Sequence, residues 1–154
     1  MPVPSQGDPQ GELLTEYYKL IDMIQGYDPY FISIKSWSAT LGSLAIGTAF
    51  TRPATTLPLL GAAILLSVSF WVVEAVFKIL QQNHVIRAGL LEHLLQQGGT
   101  TPTPRILQSF AEAAVKNRQN RAWRRVMLWP HVAFPHALFA LVALIAGTLA
   151  IGAN

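Results

Sequence analysis

The feature that most constrains this chain is an apolar run at residues 57–80, LPLLGAAILLSVSFWVVEAVFKIL, whose only charges are Glu74 and Lys78. The hydrocarbon core of a bilayer is about 30 Å thick, and a helix needs roughly 20 mostly apolar residues to cross it. The run therefore predicts a transmembrane helix at about 57–79. No proline follows it, so we expect the helix to continue beyond the membrane to about residue 97, where two glycines follow.

Two further apolar runs, at about 31–51 and about 130–151, meet the same length requirement. Hydrophobic residues make up 51% of the chain and charged residues only 12%, whereas a typical soluble domain is about a quarter charged. The turn between the first two runs is too short to cross a bilayer again, so these two helices are expected to be antiparallel. We therefore predict an all-α integral membrane protein with three transmembrane helices.

The segments outside these runs predict further helices. Residues 9–26 follow an Asp-Pro start signal and repeat apolar residues at helical spacing, which indicates an amphipathic helix. Residues 105–125 follow a linker rich in Gly, Thr and Pro and indicate a basic amphipathic helix. With the extension of the second helix, these segments are expected to form a cytoplasmic helical layer (9–26 and 80–125). The whole chain, 1–154, is then a single membrane-embedded domain.

Basic residues determine the predicted orientation in the membrane. Segment 78–125 contains eight lysines and arginines, whereas the turn between the first two spans contains only Arg52. Cytoplasmic loops carry the excess of Lys and Arg, so this segment is expected in the cytoplasm. The amino terminus, two crossings earlier, is then also cytoplasmic, and the carboxyl terminus, one crossing later, is outside. The expected location is the inner (plasma) membrane, as a multi-pass protein.

Ionisable residues recur at one depth of the three predicted spans. Lys35, Glu74 and His136 each lie about one helical turn inside the predicted cytoplasmic boundary, and His131 lies at that boundary. Ionisable residues are costly in lipid and usually face a bundle interior or water. Three roles fit this candidate polar cluster: a structural layer that fixes helix packing, an ion or proton pathway, or a cofactor site.

The histidine spacing and the missing motifs argue against a resident cofactor and against an enzyme. His131 and His136 are five residues apart, so they point about 140° apart on a helix and do not form a pair of metal ligands. The chain has no cysteine, and the phosphate-loop, nucleophile-elbow and zinc-protease motifs do not occur in it. We expect no catalytic, cofactor-binding or metal-ligating residue, with a haem or a proton-transfer role as the open alternative.

Two contact surfaces are also predicted, one for helix packing and one for lipid headgroups. Small residues three or four apart let helix backbones approach closely in lipid, whereas arginines and tryptophans beside a span suit the headgroup layer and anionic lipid. No nucleic-acid-binding module is recognisable, so nucleic acid is not an expected partner. The packing face comprises Ser38, Gly42, Ala45, Ser43 and Gly47, and the headgroup contact comprises Arg118, Arg121, Arg124, Arg125, Trp123 and Trp129.

These features lead to two expectations for the function. The first is a small homo-oligomer, channel-like or membrane-perturbing, with the polar cluster at its cytoplasmic mouth. The second is an accessory or scaffolding subunit that packs against a larger membrane complex. The stretches IKSWSATLGSLAIG and FWVVEAVFKILQQ resemble those of small bacterial membrane proteins with a paired-span hairpin, a resemblance that assigns neither an activity nor a functional residue.

Overall fold

Nearly all of the described part of the chain is helical, as the predicted all-α class requires. The structure is a computed structural model, and it describes residues 9–51, 55–96, 111–112, 114–115 and 122–152. The helices are α1 (Pro9–Gly26), α2 (Asp28–Thr51), α3 (Thr56–Gln96), α4 (Ala122–Met127) and α5 (Pro130–Gly152).

The helix bounds agree with most of the sequence-based bounds. α1 covers the predicted 9–26, α3 runs without a break through the second predicted span and its extension, and α5 covers the third span. α2 begins three residues earlier than predicted, because Asp28 and Pro29 are good residues for a helix start. The predicted linker and most of the predicted helix at 105–125 lie outside the described residues.

Two helices, α3 and α5, are long and apolar enough to cross a membrane. α2 has the length, at 24 residues, but it does not meet the same apolar requirement. Its serines, threonines and glycines and its single lysine, Lys35, lower its hydropathy. Two of the three predicted spans are therefore supported by length and composition. The span predicted at α2 and the amphipathic character of the flanking helices stay predictions.

One compact unit combines α1 with the part of α3 that begins at Lys78. An ion pair lies within this unit, with Arg87 Nε 2.9 Å from Glu16 Oε1. The end of α1 is also tied to α3, because Gln81 Nε2 donates a hydrogen bond to the carbonyl oxygen of Ile24 at 2.9 Å. The apolar core of the unit consists of Leu13, Leu20, Ala88 and Leu91.

A second compact unit combines α2, the part of α3 that ends at Phe77, α4 from Trp123 and α5. α2 and α3 form an antiparallel hairpin, whose turn is closed by a hydrogen bond of 3.0 Å from the Thr56 hydroxyl to the carbonyl oxygen of Ala49. α5 packs beside both helices. The apolar core of this unit consists of Ile46, Ala49, Leu60, Ala63 and Ala143.

The surface of the second unit is strongly apolar. α5 is apolar over most of its length, yet its buried residues are only Val132, His136 and Ala143. A water-soluble protein does not normally leave a contiguous apolar surface of this kind in water. The exposed large apolar side chains of α5 are Phe134, Leu138, Leu141, Val142, Leu144, Ile145, Leu149 and Ile151.

Candidate functional site

The candidate site is a line of four polar side chains inside the second unit, which we call the polar chain. Lys35 and Ser38 lie one turn apart on one face of α2, Glu74 lies on α3, and His136 lies on α5. Ser38 and Glu74 are 1% exposed and His136 is 0% exposed, whereas the Lys35 side chain is 35% exposed. The structure thus brings together three of the four residues of the predicted cluster.

Glu74 is the centre of the polar chain because its carboxylate contacts both neighbouring helices. Lys35 Nζ lies 3.2 Å from Glu74 Oε1, and His136 Nε2 lies 2.9 Å from Glu74 Oε2. Burying a carboxylate costs roughly several kcal/mol of lost hydration. An opposite charge and hydrogen-bond donors must replace the water to offset this cost. Lys35 supplies the charge and His136 supplies a donor, so this one residue links α2, α3 and α5.

His136 uses both of its ring nitrogens. Its Nε2 faces Glu74, and the Ser38 hydroxyl oxygen lies 2.8 Å from its Nδ1. In the neutral ring with a proton on Nε2, the Ser38 hydroxyl donates to Nδ1. In the protonated ring, Nδ1 donates to the Ser38 oxygen, and the hydroxyl proton turns toward another acceptor, such as a carbonyl oxygen one turn back on α2. The same heavy-atom positions therefore accommodate two protonation states.

His131, the fourth predicted member of the cluster, lies elsewhere. It is exposed, and its ring centroid is 5.4 Å from that of Trp129. On α5 it points about 140° away from His136, because five residues separate them. The sequence pattern assigns Ser38 to the helix-packing face and does not predict its hydrogen bond with His136. The available signal was its position three residues after Lys35, which puts both side chains on one helix face.

The predicted packing face of α2 divides into a buried part and an exposed part. Ser38 and Gly42 are buried, and Ala45 packs against the apolar core, whereas Ser43 and Gly47 are exposed. A Cβ atom on Gly42 would lie 3.2 Å from the Phe139 ring, so this glycine lets α5 come close to the α2 backbone. A Cβ atom on Gly47 would meet nothing within 4 Å, so that part of the face is open.

The residues predicted to contact lipid headgroups are partly described. Trp123, Arg124 and Arg125 are exposed on α4, and Trp129 is half-buried just before α5. Arg118 and Arg121 lie outside the described residues. The described members therefore come together on the short segment that leads into an apolar helix.

The first unit also contains a titratable group with a shifted pKa. Burial lowers the pKa of His84 below its ordinary value of 6.5. The ring centroid of this histidine is 6.0 Å from that of Tyr27, the residue that follows α1. Burial disfavours the protonated form of this ring, so protonation of His84 is expected to destabilise this unit.

The order Ser38–His136–Glu74 resembles the nucleophile, base and acid of a serine hydrolase. A catalytic serine must contact its substrate, and backbone N–H groups must be free to bind the oxyanion. Ser38 is 1% exposed, and the N–H groups around it lie inside α2, where helical hydrogen bonds use them. An open apolar groove of about 460 Å³ in this unit is lined by Ala49, Phe50, Thr56 and residues of α5 from Val142 onward, not by Ser38. The burial of Ser38 and the helical hydrogen bonds around it do not fit acyl transfer at this serine.

The side chains of the polar chain differ in type from those that usually hold a metal ion. The described residues contain no group of three His, Asp or Glu side chains that could hold a metal ion. Glu74 and His136 contact each other and a lysine and a serine, which are not a typical ligand set.

The chain matches no known family model, no curated protein and no solved structure.

Proposed function

We propose that this protein is a three-span protein of the inner membrane whose polar chain binds and releases a proton. The observation that carries the proposal is the burial of Glu74, a carboxylate that is 1% exposed and contacted from both α2 and α5. Ionisable residues inside membrane proteins commonly pair with one another and often form proton relays. The proposal has three parts, which are membrane insertion, proton binding and self-association.

Membrane insertion is supported by the apolar surface of α3 and α5, which needs lipid or protein around it. α2 packs against α5 through Ser38 and Gly42, so it belongs in the same environment as its neighbour. Its 24 residues extend about 36 Å at 1.5 Å per residue, which is enough for a third crossing. The excess of basic residues at 78–125 favours a cytoplasmic amino terminus and an external carboxyl terminus.

Proton binding is supported by the order of the groups. Lys35 is the partly exposed end of the chain, Glu74 and His136 follow, and Ser38 is the buried end. A proton from the Lys35 side can reach His136 through Glu74, because one carboxylate contacts both. Toward the hairpin turn, the core cluster is apolar, and Ser67, about two turns before Glu74 on α3, is a further buried hydroxyl residue. In the proposed orientation, the partly exposed Lys35 end of the polar chain faces the cytoplasm. The apolar core near the hairpin turn separates the polar chain from the opposite side of the membrane.

The expected activity is channel-like: a homo-oligomer that conducts protons, with this conformation as its closed state. The test is proton flux into liposomes that contain the purified protein and a pH-sensitive dye, after a pH jump. We expect flux with the natural protein and the rate of empty liposomes with Glu74→Gln. Glu92→Gln is the matched control, because Glu92 is an exposed carboxylate on the same helix. The absence of flux with the natural protein would leave the polar chain with a structural role only.

The second candidate function, an accessory or scaffolding subunit of a larger membrane complex, is favoured by the exposed small residues of α2. Ser43 and Gly47 offer a narrow face that another helix can approach closely. The two candidates differ in what covers this face, a second copy or another protein. Extraction in a mild detergent followed by mass measurement separates them. An assembly made only of this chain supports the first candidate, and constant co-purification of another polypeptide supports the second.

A further inference from the structure

One side of α4 is buried in the second unit and is held there by a hydrogen bond from α3. Val126 is 2% exposed, and the indole Nε1 of Trp71 on α3 donates a hydrogen bond of 2.9 Å to the carbonyl oxygen of Met127. That carbonyl belongs to the last turn of α4, where carbonyl groups have no helical partner. The contact therefore holds the end of α4 against α3. The other side of α4 and Leu128, just after it, are exposed.

The outer side of this segment carries two positive charges among large apolar groups. Arg124 and Arg125 are exposed, and the Arg124 guanidinium lies 5.3 Å from the centre of the Trp123 ring. Trp123 and Leu128 are exposed as well, the latter by 75%. The sequence from 122 to 152 contains no aspartate or glutamate, so neither charge is balanced by a neighbour along α4 or α5. We call Trp123, Arg124, Arg125 and Leu128 the elbow surface.

The position of the elbow surface indicates what covers it. α5 begins at Pro130, two residues after Leu128, and is one of the two helices apolar enough to cross a membrane. Side chains at the start of such a helix lie at the level of the headgroups, where indole rings reside and basic residues meet anionic lipid. A guanidinium also binds phosphate oxygens in a two-pronged geometry. Charge and continuity with α5 both favour lipid phosphate as the occupant.

We propose that the elbow surface binds the phosphate groups of anionic phospholipids and that Trp71 positions it for this contact. The inference rests on the membrane insertion proposed above. Trp123 and Leu128 enter the edge of the hydrocarbon, while Arg124 and Arg125 bind the phosphates above it. The preference for anionic lipid then belongs to this surface and not to the net charge of the chain, which is +3.

The test compares lipid capture by the purified protein in nanodiscs of phosphatidylcholine that contain a low fraction of phosphatidylglycerol. The measurement is the enrichment of phosphatidylglycerol among the lipids that stay bound on extraction into detergent, read by native mass spectrometry. We expect Arg124→Gln and Arg125→Gln each to lower this enrichment about fivefold, the effect of roughly one basic residue at an anionic surface. Lys19→Gln is the control, because it removes one exposed positive charge from α1 and should leave the enrichment unchanged.

A second variant tests the positioning. Trp71→Phe keeps every charge but removes the donor to Met127, so we expect it to lower the enrichment as well. Unchanged enrichment in both arginine variants, or an equal loss in Lys19→Gln, would overturn the proposal, and a Trp71→Phe protein identical to the natural one would overturn the role of Trp71. Natural protein that inserts but shows no preference refutes this inference alone, whereas protein that does not insert into nanodiscs refutes the proposed function.

Discussion

At the scale of single residues, the hydrogen bond between Ser38 and His136 explains why a small hydroxyl residue lies at that position of α2. The His136 ring is fully buried, and one of its two nitrogens would have no partner without Ser38. A buried polar atom that loses its partner costs about 1–3 kcal/mol. The stability of the polar chain therefore depends in part on Ser38, a small residue that the sequence pattern assigns to helix packing.

The first prediction tests this with a matched pair of serines. Ser38→Ala should lower the free energy of unfolding by about 1–3 kcal/mol, because it leaves Nδ1 of His136 without its hydrogen bond. Ser43→Ala, the same change at an exposed position of the same helix, should have little effect. Thermal unfolding in detergent measures both. Equal shifts for the two variants would contradict the buried hydrogen bond.

The second prediction concerns pH and the first unit. Burial holds the pKa of His84 below 6.5 in the folded chain, so between the two values the unfolded chain binds more protons. Stability from this group is therefore present above pH 6.5 and falls as the pH drops through that window. The rate at which a protease cuts α1 should rise from pH 7.5 to 5.5 in the natural protein.

The control for this prediction is a pair of histidine substitutions on α3. His84→Gln cannot take up the proton, so its cleavage rate should change less over the same pH range. His93→Gln, at an exposed position, should behave as the natural protein does. A pH dependence that survives in His84→Gln would assign the effect to another group.

At the scale of elements, α2 differs from the other two long helices of its unit. Its small side chains allow close approach on the buried side at Gly42 and leave an open strip at Gly47. This division follows from geometry, because residues 42 and 47 are five positions apart and point about 140° apart. One helix therefore serves the internal packing of the unit on one face and leaves on another face the open strip at which we propose association.

The third prediction separates these two faces. Gly42→Leu should lower the free energy of unfolding by about 1–3 kcal/mol, because the added side chain must displace the Phe139 ring. Gly47→Leu should leave the unfolding free energy nearly unchanged but reduce the mass of the assembly in mild detergent. A Gly47→Leu protein with the natural mass would argue against association through this strip.

At the scale of the whole molecule, the contrast between an apolar surface and buried ionisable residues favours the membrane environment proposed above. The outward side chains of α5 are mostly apolar, and its one ionisable buried residue, His136, faces Glu74. In water the opposite arrangement is favoured, because charged groups are hydrated and apolar groups are buried. Lipid reverses this preference, so the same chain is stable with its polar groups inside.

The fourth prediction tests the threading, and the cysteine-free sequence makes it direct. A single cysteine placed at Ala153 should react with a membrane-impermeant maleimide in intact cells. A cysteine placed at Gln6 or at Gly99 should react only after the membrane is opened, because three crossings separate Gln6 from Ala153 and one crossing separates Gly99 from it. Labelling of Gln6 and Ala153 from the same side would mean an even number of spans.

Much of the fold follows from the sequence because its causes are local. Runs of about 20 apolar residues predict long helices, and Asp-Pro and Gly mark their ends. α3 and α5 follow from these signals with bounds within one or two residues. The common depth of Lys35, Glu74 and His136 also follows from residue counting along antiparallel spans. These local signals are therefore enough to predict the long helices and the common depth of three ionisable residues along them.

Which of these groups point at one another depends on tertiary packing. Depth is a property of one helix, but facing depends on the rotation of each helix about its axis, which is set by packing between residues distant in sequence. Packing of Phe139 against Gly42 brings α5 beside α2, and this rotation directs His136 to Ser38 and Glu74 and leaves His131 exposed. Trp71 likewise reaches Met127, 56 positions away, through a contact that no local pattern specifies.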